Sequence, residues 1–280
     1  MTVRVVSDTA CDLPDDLVKE LGIALVPLHV RFGDTELLDR VELDAKEFWV
    51  RCAAAPELPE TAAPSPGAFR AAFEGLAGEG ADGALCVTLS SKLSATNEAA
   101  AQAARALSGE FPVEVVDSFS ATMGEGLVVL AAAEAAMAGG DMAGVVAAAT
   151  SAKSRLSVFG AIDTLENLRK GGRIGGAAAL LGTLLSVKPV IEVRDGVVEQ
   201  ESRQRTRAKS LRYLADKARS AGPLDRLAVM SADAPDIGAF LDLMAGVTSR
   251  HPRLVGDVGP VIGTHAGPGA IGVAWLREPV

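Results

Sequence analysis

"GALCVTLSSKLSATNEAAAQAARAL", residues Gly83–Leu107, changes its period midway. Gly83–Leu89 is an almost unbroken apolar run of strand length, the pattern of a strand covered on both faces. The alanine-rich stretch from Ser94 to Leu107 follows it directly as a helix. A strand running straight into a helix is half of a parallel crossover unit, and the pairing recurs on either side. Upstream, "VRVVS" (Val3–Ser7) precedes "DLPDDLVKEL". There Asp12 can cap a helix, Pro14 suits its first turn, and Asp15 and Asp16 face the positive end of its dipole. Downstream, "VEVVD" (Val113–Asp117) leads into alanine-rich helices between Ala121 and Arg155. Strand and helix alternating at this spacing predict an α/β domain with a parallel sheet. Ligands of such sheets bind beyond the carboxyl ends of the strands.

Between these units, "IALVPLHVRF" reads as one strand ending at Gly33-Asp34, and Asp44-x-x-Glu47 forms a capping box for the next helix. "PELPETAAPSP" reads as a proline-punctuated loop, closed by Ser65-Pro66 at the start of another helix. The second half has a different rhythm. "VKPVIEVRDGVVEQESRQR" is two strand-like runs joined at Asp195-Gly196, a hairpin signal. A helix (Thr206–Ala221), a strand ("DRLAVMSA") and a helix (Pro235–Arg250) follow, and "LVGDVGPVIG" and "AIGVAWL" finish as strands. The expected organisation is an α/β domain over residues 1–160 and an α+β domain over 161–280.

Composition narrows the function classes. Hydrophobic residues make up 49% and aromatic residues only 4%, so an apolar cavity here would be lined by aliphatic side chains. The net charge of −9 argues against a nucleic-acid partner. The opening segment has no long apolar stretch of the signal-peptide kind. The apolar run Ile174–Val187 is too short to span a bilayer, which takes about 20 residues. Cys11, Cys52 and Cys86 are odd in number and far apart, which fits free thiols in a reducing cytoplasm and neither a disulfide framework nor a zinc site.

Several standard chemistries are missing. Gly267, Gly269 and Gly272 spell G-x-G-x-x-G, but a dinucleotide fingerprint needs a helix after it, then a strand and an acidic residue about 20 positions on. Only eight residues follow Gly272, and they read as a strand. There is no Walker loop, no H-E-x-x-H and no G-x-S-x-G elbow, and His29, His251 and His265 are scattered. No metal and no cofactor are expected. Ser94 can cap its helix, or contribute with the free N–H groups there to an anion site. Thr61 lies in a stiff loop. His265 sits among glycines between two expected strands, where a core or surface histidine is the default. These are the right donors to hold a carboxylate, but their spacing alone does not bring them together.

Six stretches in order give a more specific signal. They are "SDTACDLP" (Ser7–Pro14), "TAAPS" (Thr61–Ser65), "LSSKLSAT" (Leu89–Thr96), "DSFSATMGEG" (Asp117–Gly126), "KGGRI" (Lys170–Ile174) and "THAGPGAIG" (Thr264–Gly272). Together they resemble the DegV family of fatty-acid-binding proteins over essentially the whole chain. Ala62-Ala63, Ala95 and Ala266 depart from the family's pattern and remove polar neighbours, while Thr61, Ser94 and His265 are kept. The resemblance implies a two-domain α/β protein with a long-chain fatty acid such as palmitate buried between the domains. It implies a carboxylate held by Thr61 and Ser94 with His265 assisting. It also implies a cytoplasmic carrier without catalysis of its own, which presents the acid to a separate fatty acid kinase subunit for acyl-phosphate formation, with transient membrane contact. On a chain of net −9, "RQRTRAKSLR" (Arg203–Arg212) is all positive in its charges. Arg173 and Arg205 align with arginines the family is thought to use for kinase docking. The competing readings are a small-molecule kinase or transferase, which would need nucleotide-phosphate ligands, and a regulatory lipid-sensing module.

Overall fold

A computed structural model of the chain describes residues 2–179 and 187–279. The first half runs β1 (Val3–Asp8), a 3-10 turn at Thr9–Cys11, α1 (Asp15–Glu20), β2 (Ala24–Val26), β3 (His29–Phe32) and β4 (Thr35–Leu38). It continues with α2 (Ala45–Ala54), β5 (Glu60–Ala62), α3 (Pro66–Gly78), β6 (Gly83–Thr88), α4 (Thr96–Ala106) and β7 (Val113–Asp117). Then come α5 (Met123–Met137), α6 (Met142–Arg155), β8 (Leu156–Ala161) and α7 (Glu166–Lys170). Past the undescribed residues follow β9 (Lys188–Arg194), β10 (Val197–Gln204), α8 (Arg207–Ser220) and β11 (Leu224–Ser231). The chain ends with α9 (Ile237–Leu243), β12 (Leu254–Asp257), α10 (Pro260–Ala266) and β13 (Ile271–Arg277).

The expected parallel sheet is present, with order β2-β1-β6-β7 and every pairing parallel. All six residues of β6 are buried, as its unbroken apolar run requires. Helices α3 and α4 pack on one face of this sheet and α5 and α6 on the other. A second, mixed sheet of order β10-β9-β8-β13-β11-β12 meets the far side of α5 and α6, and its outer face is covered by α8 and α9. The architecture is therefore α/β, a parallel-sheet half and a mixed-sheet half sharing one central helical layer. Strand β8 begins at Leu156, so the division expected after residue 160 falls inside a strand of the second sheet.

Helix α5 explains how the two sheets come so close. It is buried on nearly all sides, as a helix between two sheets must be. A side chain at Gly126 would collide with the carbonyl of Cys11, and one at Gly124 with Ser120 and Val158. Bare backbone at both positions lets α5 press against β8 on one side and the 3-10 turn on the other.

The local signals hold where a cap or turn residue carries them. Asp44 accepts the Glu47 N–H at 2.8 Å, Ser65 the Ala68 N–H at 3.2 Å, and Thr206 the Lys209 N–H at 3.3 Å. Asp195 and Gly196 both take positive φ, +50° and +82°, in the hairpin turn between β9 and β10.

Other expectations are corrected. "LVGDVGPVIG" is not one strand: β12 stops at Asp257, and Pro260, pre-set for a first helical turn, opens α10. "IALVPLHVRF" is broken at Pro27, so β2 joins the parallel sheet while β3 joins a small sheet of order β4-β3-β5. Asp12 does not cap α1; it is buried with φ +51° at the end of the 3-10 turn, and Pro14 takes the cap position. Ser94 lies one residue ahead of the cap position of α4, which Ala95 occupies. The helix expected over Pro235–Arg250 is confined to α9. Most of the run Ile174–Val187, residues 180–186, lies outside the described residues. Among the described residues no helix is long and apolar enough to cross a membrane. Cys11 and Cys86 are buried free thiols, and burial pushes the Cys11 thiol up to about 12, which keeps it protonated at neutral pH.

Candidate functional site

Thr61 is not in a loop. Its segment pairs with β3, Val30 opposite Thr61, because the prolines that flank it stiffen an extended chain suited to an edge strand. That strand carries Thr61 to the last turn of α10, where its Oγ1 lies 2.9 Å from Nε2 of His265. The contact joins residues 204 positions apart. His265 thus ends a helix and does not sit in a turn between strands. Its Nδ1 is buried without a partner against Gly171, where any side chain would collide with the ring. Burial, and then the neighbouring Arg173 charge, push the imidazole down to about 4. His265 is therefore neutral at pH 7. A proton on Nδ1 would be stranded, so the favoured tautomer carries it on Nε2 and donates it to Thr61. The Thr61 hydroxyl proton is then free to point at a ligand.

Ser94 faces the same space from the loop between β6 and α4. Its N–H is held by the Ser90 carbonyl at 3.1 Å, and its hydroxyl lies 2.8 Å from that of Thr96. Ser90 in turn donates to the Gly196 carbonyl at 2.7 Å, which ties this loop to the β9–β10 turn. Arg173 completes the group. Its Nε donates to the Leu93 carbonyl at 3.0 Å and its Nη1 to the Gly171 carbonyl at 2.6 Å, leaving its charge at the cavity that Thr61, Ser94 and His265 also line.

The cavity has about 1000 Å³ of empty space when its open mouth is counted. Its floor is the inner face of the second sheet, with Val158, Ile191 and Val193, and its roof includes Val261 and Ile262 of α10. Phe159 is the one aromatic residue among the described lining residues. The low aromatic content thus appears as an aliphatic lining. Ala62 and Ala63 border the cavity without adding polar groups. Arg205 is exposed just past the end of β10 and does not line it. Among the described residues no group of His, Cys, Asp or Glu could hold a metal ion. Gly267 and Gly269, with φ +79° and +77°, form the turn from α10 into β13, so a strand follows the glycine pattern as the sequence indicates.

Two features escape a reading by motif. Arg173 reaches the cavity only because α7 folds against α10, which no sequence spacing announces. The second is a set of buried acids behind the site: Asp8, Asp12, Asp39 and Glu125. Asp8 accepts the Leu89 and Ala10 N–H groups at 2.9 and 3.0 Å, and Ser7 donates to Glu125 at 3.1 Å. Asp12 accepts the Gly259 N–H at 3.1 Å, at the start of α10. Thr122 stands between these acids and the cavity, with φ +50° at a β-branched residue, a strained conformation of the kind that collects at ligand sites. The sequence signals for this cluster are the pair of aspartates in "SDTACDLP" and Glu125 in "DSFSATMGEG".

The fold and the cavity define a class: an α/β protein of two large sheets and a small one around an aliphatic cavity, with neutral and cationic donors gathered at one place. The chain belongs to the DegV family: residues 2–278 match the family described as "Uncharacterised protein, DegV family". A DegV domain-containing protein of Mycobacterium tuberculosis is 39% identical over 280 residues, covering 98% of this chain and 96% of its own. A fatty-acid-binding DegV family protein of Thermus thermophilus superposes with TM-score 0.91 at 33% identity, covering 99% of this chain and 100% of its own. DegV of Bacillus subtilis, a fatty-acid-binding protein, superposes with TM-score 0.88 at 29% identity and the same coverage.

Proposed function

We propose that this chain is a carrier for one long-chain fatty acid, whose carboxylate sits at Thr61, Ser94 and His265 beside Arg173. The observation that carries the reading is an aliphatic cavity with those four side chains on its wall. Burying about 15 methylenes is worth roughly 12 kcal/mol gross at about 0.8 kcal/mol each. A carboxylate taken from water without donors would offset much of that gain, so the head needs hydroxyl, imidazole and guanidinium partners. Tail burial supplies affinity and the polar group supplies orientation. Protein purified from a bacterial host is expected to carry about one fatty acid per chain, seen by native mass spectrometry and released on denaturation. Folded protein that yields no lipid on repeated extraction, and takes up none when offered it, overturns the reading.

The carrier reading includes a partner, a separate fatty acid kinase subunit that converts the presented carboxylate to an acyl phosphate, with this chain contributing no catalysis. Arg205 is the docking residue that stands apart from the cavity. Arg173, aligned with the same role, also borders the ligand, and its loss acts on both cargo and docking. Arg205→Ala is expected to keep its fatty acid while lowering acyl-phosphate formation by a cognate kinase, more severely at high salt, because rim charges act mainly on association. Arg173→Ala is expected to lose part of its cargo as well. Loss of cargo from Arg205→Ala to the same extent as activity would remove the docking role.

A further inference from the structure

The inner face of the second sheet contains a row that the head-group chemistry does not use. Gly272 on β13 lies opposite Gly160 on β8, Gly160 lies opposite Ile191 on β9, and Gly272 lies opposite Met230 on β11. Ile191, Gly160, Gly272 and Met230 thus form one row across four strands, about 14 Å wide at about 4.8 Å per strand. All four line the cavity. The two central positions have no side chain, so the floor there is bare backbone.

Glycine inside a strand weakens it and marks a place where something approaches closely. At Gly124 and Gly126 that something is the protein's own packing. At Gly160 it is not: the nearest atoms an added Cβ would meet belong to Ile191 and Ile271 of the same sheet, at 3.5 Å or more. The room above Gly160 is therefore left to the cavity. At Gly272 an added Cβ would lie 2.9 Å from Cε of Met230, the far end of a flexible, unbranched side chain. Met230 is buried and folds its thioether over the bare floor. The next strand, β12, contributes no residue to the cavity, and Gly256 on it is covered by Met123. On that side Met230 forms the wall with Val258, just past β12.

We infer that Met230, folded over Gly272, sets the length of acyl chain the cavity admits. The inference rests on the fatty-acid reading. Each further methylene that finds burial adds about fourfold in affinity, so a wall that gives way shows directly as a change in preferred length. The test is competitive loading of the purified protein with saturated acids of twelve to twenty carbons, read by mass spectrometry of the bound acid. Met230→Ala is expected to move the preference to longer acids, by about 15-fold in the ratio of two acids differing by two methylenes. Gly272→Ala is expected to move it the other way, because its methyl pushes Met230 into the cavity. Combining the two changes is expected to cancel the Gly272→Ala shift, since the displaced side chain is gone. If Met230→Ala fails to fold, the Gly272→Ala shift alone decides. Variants that load fatty acid in the parent's order of preference overturn the inference and leave the carrier reading intact. A parent that loads no fatty acid at all overturns the carrier reading itself.

Discussion

Ser94→Ala and Thr61→Ala are each expected to weaken fatty-acid binding by about 1.5–3 kcal/mol, the usual loss for a hydrogen bond to a charged group. In affinity that is roughly 10- to 150-fold. The methyl ester of the same acid lacks the charge these hydroxyls serve. It is expected to bind the parent much more weakly than the acid does, and to lose little further in either variant. Thr61→Ala carries a second effect. It strips His265 Nε2 of its partner, 2.9 Å away, on a ring whose Nδ1 is already unpartnered. A buried ring with neither nitrogen satisfied has reason to move, so Thr61→Ala is expected to fall at the stronger end and Ser94→Ala at the weaker. Thr61→Ser keeps the hydroxyl and is expected to restore most of the affinity. Equal affinity for acid and ester in the parent, measured by displacement of a fluorescent fatty acid, would show that no carboxylate site exists here.

How much of this was legible beforehand depends on how local the signal is. The alternation of strand and helix from Val3 to Arg155 could be read because each element carries its own period, and the helix starts at Asp44 and Ser65 could be read because a cap acts within one turn. The strand at Glu60–Ala62 could not, because its reason is β3 alongside it and its own composition reads as loop. Nor could α10: apolar residues beside glycines look like a strand until Pro260 is given the role of a first helical turn. His265 is the instructive residue. A lone histidine among glycines has no chemistry by itself, and Thr61 in a proline-rich stretch has less. Their meeting across 204 positions is a property of the small sheet and of α10 together. The resemblance carried by six motifs gave both as residues that hold a carboxylate, and both border the cavity, while it gave Arg173 as a docking residue near the pocket mouth. The guanidinium's place on the cavity wall comes from two carbonyl contacts, to Leu93 and Gly171, that no motif encodes.

The buried acids set the second large effect, on stability, and its sign follows from their environment. Burial is the main cause that pushes Asp8 up to about 6, Asp39 up to about 7 and Asp12 up to about 8, and it also raises Glu125. Asp12 faces Asp39, Arg40, the Thr122 hydroxyl and the Gly259 N–H, and the Asp39 charge adds to the upward push while the others oppose it. Each of these carboxyls is harder to ionise in the folded chain than in the unfolded one, where ordinary values near 3.8 for the aspartates and 4.5 for Glu125 apply. Below about pH 4 both states hold the proton and nothing is lost. As pH rises the unfolded chain releases a proton that the folded chain keeps. Asp12 alone then removes about 1.4 kcal/mol of stability per pH unit, until pH passes its folded value. The parent is accordingly expected to lose stability from pH 5 to pH 8, opposite to a protein held by salt-bridged carboxylates. Asp12→Asn keeps an acceptor for Gly259 and cannot ionise, so its stability curve is expected to be flatter by about 1.4 kcal/mol per pH unit over that range. Urea unfolding at four pH values separates the outcomes, and parallel curves for parent and variant would show that Asp12 ionises as freely folded as unfolded. The consequence reaches the ligand site through one bond. Asp12 holds Gly259, Gly259 precedes α10, and α10 carries His265 against Thr61. A carboxyl kept protonated in that seam joins the first half of the chain to the start of α10 without burying a charge there.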